Sequence, residues 1–176
     1  MKTLLKLGLL AMLTSVIAAC NQQAANTTGV IDLARISTET GNAEKIDTEL
    51  KNIKSRLKTE LQTLQTKLQN NFQETQKKFG EKPTDEQRGQ LAKLLTTAQQ
   101  QLQQARNSAA IELQNKQIEL ITKLKTSVHK IAEKIAKKRG MTLILINNNN
   151  IILSIDEKID LTDAVIAGFK NQGISK

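Results

Sequence analysis

The chain has 176 residues, with 26 basic and 17 acidic side chains, a formal net charge of +9, and a single cysteine, proline and histidine. Three phenylalanines are its only aromatic residues, so stacking platforms for bases or sugars are almost absent and charge alone is a weak case for nucleic acid. One cysteine excludes a disulfide within the chain and leaves packing or assembly as the sources of stability.

Lys2 and Lys6 precede a thirteen-residue apolar run, Leu7 to Ala19, that stops at Cys20. This is the pattern of an export signal, and the run is shorter than the roughly 20 residues a membrane-spanning helix needs. No second apolar stretch follows, which excludes a polytopic membrane protein. Residues 1–19 are read as a signal peptide. Ile17-Ala18-Ala19-Cys20 resembles a bacterial lipobox, which would make Cys20 a lipidated N-terminus held at a membrane surface; an ordinary cut after Ala18 or Ala19 is the other reading. Residues 20–28 then form the lipidated cysteine and a flexible tether. Asn21 after Cys20 is not the aspartate of enteric-type inner-membrane retention, so the expected location is the periplasm, with the anchor in the outer membrane.

Gly29-Val30-Ile31-Asp32-Leu33-Ala34-Arg35-Ile36 reads as one strand. From Asn42 to Arg139 the chain is rich in Lys, Glu, Gln and Leu with one proline, a composition that favours helix. Ile46, Leu57, Leu68 and Phe79 are eleven apart, as are Leu50, Leu61 and Phe72; that period keeps a narrow apolar seam nearly straight along a helix and implies one partner. Gly80 to Pro83 break the pattern, and Thr84 with Gln87 makes a capping box that restarts it. The second helix carries Leu91, Leu95, Ala98, Leu102, Ala105 and Ala109, then Leu113, Leu120, Leu124, Val128, Ile131 and Ile135, and ends at Lys137-Lys138-Arg139-Gly140. Ile118, Ile121, Ala132 and Ala136 widen its apolar surface after Ile111, so that half is expected inside the base.

Met141 to Ile146 and Ile151 to Ile155 flank four asparagines at 147–150 and read as a β-hairpin. A last helix begins near Asp160, a good N-cap, and carries Leu161, Val165, Ile166 and Phe169 toward the sheet. The predicted fold is α+β and predominantly α: a long antiparallel helical hairpin arm over 43–139, turning near 80–84, on a β-rich base of 29–42 plus 140–176. That base has 51 residues and no disulfide, a size at which one core is marginal, so copies of it should assemble. Val30, Ile31, Leu33, Leu143, Ile144, Leu145 and Ile152 are the expected oligomer interface.

The strand at 29–36, the Leu-Ile-Leu-Ile of 143–146 and the Asp-Leu-Thr-Asp-Ala-Val-Ile of 160–166 are similar to the opening strand, closing strand and last helix of the Skp (OmpH-like) family of periplasmic chaperones. The arm matches only in helical character, and Cys20 departs from the soluble pattern of typical members. The resemblance implies a homotrimer whose arms surround a cavity that holds unfolded outer-membrane β-barrel proteins without ATP or cofactor. Charge agrees with this: residues 43–139 hold 20 Lys and Arg against 11 Asp and Glu, and the rest of the chain after residue 19 holds 4 against 6. Such an arm attracts acidic partners through a salt-sensitive field.

Lys67, Phe72, Lys77, Lys78, Phe79, Lys82, Arg88 and Lys93 gather toward the arm tip as candidate client-binding residues. The bland reading is a solvated face with phenylalanines closing the hairpin. His129 has only Glu133 one turn away, and Asp156, Glu157, Asp160 and Asp163 fit loop and cap roles, so neither group is expected to hold a metal. No nucleophile motif or phosphate loop appears, and no enzyme is expected. A structural envelope lipoprotein, with the arm as coiled-coil scaffold or spacer, is the alternative function; a basic nucleic-acid binder is disfavoured by export and by the lack of aromatics.

Overall fold

The computed structural model describes residues 27–147 and 151–171; the signal segment, Cys20 and the asparagines at 148–150 lie outside them. Among the described residues the order is β1 (Thr28–Ile31), α1 (Leu33–Glu39), α2 (Asn42–Phe79), α3 (Asp85–Lys138), β2 (Leu143–Ile146) and α4 (Thr162–Asn171). The fold is α+β and mostly helical, a long hairpin of α2 and α3 carried on a small base.

β1 and β2 pair in parallel, with Thr28 opposite Leu143 and Ile31 opposite Ile146. Parallel neighbours need a crossover connection, and here the whole helical hairpin is that crossover. The other edge of β1 is also taken: the Val30 N–H donates to the Ile159 carbonyl at 2.8 Å and the Leu161 N–H donates to the Val30 carbonyl at 2.8 Å. Val30 and Ile31 are therefore buried within the chain itself, at 5% and 4% exposure.

Three expectations are corrected here. The strand predicted over 29–36 stops at Ile31, because the Asp32 carboxylate accepts the Arg35 N–H at 2.9 Å and caps a two-turn helix that buries Ile36. Leu33 and Ile36 sit at helical spacing, which an apolar run shorter than one strand cannot distinguish from β alternation. The β-hairpin is absent among the described residues: β2 pairs with β1, and residues 152–156 form no ladder. The last helix begins at Thr162, since residues 159–161 are occupied against β1; Asp160 still helps by accepting the Thr162 N–H at 2.7 Å.

α2 has 38 residues and α3 has 54, roughly 57 and 81 Å at 1.5 Å per residue. Thr84 accepts the Gln87 N–H while the Gln87 side chain accepts the Thr84 N–H, completing the predicted capping box. At the other end Gly140 takes the left-handed conformation, φ 69°, that closes α3, and the Met141 N–H donates back to the Ala136 carbonyl at 2.9 Å. Within the arm the seam is thin. Leu57 is the one buried residue of α2, and the leucines at 50, 61, 64 and 68 are partly buried. In α3 the seam uses Leu94 where the sequence pattern pointed to Leu95, which is 48% exposed.

α3 outlasts α2, and its last turns form the floor of the base. Leu124, Val128, Ile131, Ala132 and Ala136 join Ile31, Ile36, Met141, Leu161, Val165, Ile166 and Phe169 in one core cluster. α4 packs on α3 and α1. The Asp32 N–H donates to the Thr162 hydroxyl at 2.9 Å and so ties the end of β1 to the start of α4. The expectation for the apolar widening of α3 holds only in part: Ala132 and Ala136 are buried, whereas Ile111 and Ile118 are 58% and 56% exposed.

Candidate functional site

The tip of the arm carries most of the residues singled out by sequence. Lys77 and Lys78 close α2, Lys82 stands in the connecting turn and Arg88 in the first turn of α3. Arg88 pairs with Asp85, while Lys77, Lys78, Lys82, Lys93 and Lys67 have no ion pair among the described residues. Lys67 lies about three turns back along α2 and Lys93 further into α3, so these two belong to the shaft. Phe72 and Phe79 are partly buried on the seam of α2, and at the tip the exposed Lys77, Lys78, Lys82 and Arg88 stand beside the exposed acids Glu81, Asp85 and Glu86.

The shaft has two unlike flanks. On one, the guanidinium of Arg56 bonds Glu60 at 2.7 Å and reaches across to Glu112. On the same flank Lys116 bridges Glu49 on α2 at 3.2 Å and Glu119 on its own helix at 3.3 Å, and Glu119 also takes Lys123. As α2 advances from Glu49 to Arg56, α3 recedes from Lys116 to Glu112, which sets the antiparallel register. Hydrogen bonds donated to Glu60 and then to Glu112 raise the pKa of Arg56 above its ordinary value. Those from Lys123 and then Lys116 hold the Glu119 carboxyl below the usual range. Sequence reading missed this network. The i,i+4 pairs of Arg56 with Glu60 and Glu119 with Lys123 were open to view, but the bridges between helices depend on a register that a polar face does not reveal. His129 is exposed and 3.9 Å from Glu133, and no group of three or more His, Cys, Asp or Glu able to hold a metal occurs among the described residues.

The second candidate surface is at the base. Leu143, Leu145 and Ile146 are 50%, 43% and 50% exposed, and Ile151 and Leu153 reach 76% and 98%. Ile144 and Ile152 are partly buried. The strand edge of β2 away from β1 has no partner among the described residues. Of the residues expected at an interface, Leu143 and Leu145 are presented to the outside, while Ile144 packs against the internal core. Val30 and Ile31 are spent on the internal core, with Leu33 packed against it.

A long two-helix arm on a small α+β base defines the class of this protein. Residues 27–169 match the family model described as outer membrane protein (OmpH-like), and the chain belongs to that family. Its fold is similar to the crystal structure of a candidate outer membrane chaperone (OmpH-like) from Caulobacter crescentus, with a TM-score of 0.65, 17% sequence identity and coverage of 85% of this chain and 86% of that one. No curated protein matches the sequence. No described helix is long and apolar enough to cross a membrane.

Proposed function

We propose that this protein is an ATP-independent holdase of the periplasm that takes unfolded outer-membrane β-barrel proteins between the basic arms of a homotrimer. Membership of the OmpH-like family and the fold shared with a candidate outer membrane chaperone support a chaperone role. The observation that carries the finer reading is the division of labour between the two surfaces. The arm holds the chain's excess of positive charge, and the base leaves the β2 edge with Leu143, Leu145 and Ile146 uncovered. An unpaired, apolar strand edge is a template for pairing, and neighbouring copies that cover it bring their arms round a common space. Weak, dispersed contacts along those arms suit clients with no fixed shape.

The test is direct. The purified protein should have the native mass of a trimer and, at stoichiometric ratio, keep an unfolded β-barrel protein from aggregating; a well-folded trimer without that effect removes the holdase reading. The lipobox-like Ile17-Ala18-Ala19-Cys20 supports attachment to the outer membrane, and the mass of the mature N-terminus decides between a lipidated Cys20 and an ordinary signal cut. Should the trimer be inert toward unfolded clients yet capture one specific envelope partner, the same motif would favour a structural lipoprotein with the arm as a spacer.

A further inference from the structure

The second flank of the shaft differs from the ion-paired one in chemistry. Here α2 and α3 part over a groove of about 500 Å³ floored by Leu57, Leu61, Leu102, Ala109, Ala110 and Leu113. Alanines on α3 opposite leucines on α2 fill the seam thinly on both flanks, and the wider groove is on this one. Lys54, Lys58 and Arg106 stand along the rim. All three are exposed, and none has a carboxylate partner among the described residues, whereas Arg56, Lys116 and Lys123 across the seam are all neutralised. An apolar floor under uncompensated cations is complementary to a ligand that is apolar on one side and acidic on the other.

Spacing narrows the shape of that ligand. Lys54 and Lys58 are one helical turn apart, about 6 Å, close to the ~6.7 Å between side chains on one face of an extended strand. The groove runs from Lys54 to Gln65, about 16 Å along α2 and room for about five extended residues. We propose that this groove binds extended polypeptide segments in which apolar and acidic residues alternate, the apolar set on the leucine floor and the carboxylates on Lys54, Lys58 and Arg106. The inference rests on the holdase reading and gives it a recognition rule, because strands destined for a membrane barrel alternate apolar and polar residues.

The experiment uses labelled nine-residue peptides of alternating valine and aspartate, a block-ordered peptide of the same composition, and an alternating valine and lysine peptide. Binding to the full protein should be strongest for the first. The triple substitution Lys54→Gln, Lys58→Gln, Arg106→Gln should weaken it about tenfold through the loss of three exposed charge contacts. Removing equal charge from the basal end of α3 with Lys130→Gln, Lys134→Gln, Lys138→Gln should change it less than about twofold. Ala110→Glu, which places a carboxylate one turn from Arg106 to compensate it, should lower the affinity with all three rim cations still in place. Equal weakening by the two triples, or equal binding of the block-ordered peptide, overturns the proposal. So does the case in which anionic phosphatidylglycerol vesicles need Lys54, Lys58 and Arg106 while the alternating peptide does not. Suppression of barrel-protein aggregation is read on the same variants: wild-type activity in the groove triple sinks the groove alone, and inactivity of the unmutated protein sinks the holdase reading while the peptide result stands by itself.

Discussion

The two ends of α3 show how one helix serves two kinds of structure. Up to Lys116 it is the outer strut of an arm, with leucines and alanines only partly covered and no buried residue; from Leu120 to Ala136 six of its residues are buried. α2, which reaches the base only through Ile46 in its first turns, has one. Burial of apolar area is the main stabilising contribution, so the base sets the stability of the chain and the arm depends on being rooted in it. A thin seam leaves the flank opposite the ion pairs free for other contacts.

Changes in the base should therefore have the largest effects. Phe169 is 1% exposed at the centre of the cluster, and Phe169→Ala should cost about 3–5 kcal/mol by lost transfer and a residual cavity. Denaturant titration followed by circular dichroism would show it as an earlier transition for base and arm together; survival of the arm signal after the base melts would break the dependence described above. Next in size is Gly168. An added Cβ there would stand 2.5 Å from Cγ2 of Ile131, so α4 packs on α3 at a distance only glycine allows. Gly168→Val should destabilise by roughly 1–3 kcal/mol through overpacking, and the companion change Ile131→Ala should recover part of the loss in a double-mutant cycle.

The contrast between the two regions also explains what could be read from the residues. The arm is legible because its order is local: the eleven-residue period from Ile46 to Phe79 repeats about every three turns, and the Thr84–Gln87 box and the Gly140 cap each act within about one. The base was legible in composition and not in topology. Val30, Leu143 and Leu161 are plain as apolar positions, but the parallel pairing of β1 with β2 joins residues 115 apart, and the register is set by the core beneath. The Asp32 cap lies inside an apolar run, and Leu33 and Ile36 read as strand because two helical turns carry too few periods to compete. At the candidate site, Lys77, Lys78 and Lys82 follow from the position of the turn. The two unlike flanks of the shaft required the helix register before Lys54 and Arg106 could be seen to face one groove.

Within the arm, expected effects are smaller and local. Leu57 is 7% exposed in a seam that can partly collapse, and Leu57→Ala should cost about 2 kcal/mol, at the low end for a leucine. Thr84→Ala removes the acceptor of the Gln87 N–H and should cost about 1 kcal/mol. Hydrogen exchange would speed up for the amides of Asp85 to Arg88, and the amides of α4 should exchange as before. A global shift in both would mean that tip and base unfold as one unit, the outcome that most directly contradicts the separation of the two regions.

The weakest effect is electrostatic and belongs to the ion-paired flank. Glu119 is held below its ordinary pKa by Lys123 first and Lys116 second, and Glu133 by Lys137. A carboxylate whose folded pKa is depressed contributes its stabilisation above its unfolded pKa, about 4.3 for Glu, and loses it as pH falls through the lower folded value. Exposed pairs of this kind contribute little and are screened by salt. The arm should thus keep its stability from neutral pH down to about pH 5 and soften only below it, with Glu119→Gln removing part of that acid dependence. Amide exchange along α3 against pH, at low and high salt, would resolve the effect. A loss that begins well above about pH 5 would break the assignment to these carboxylates.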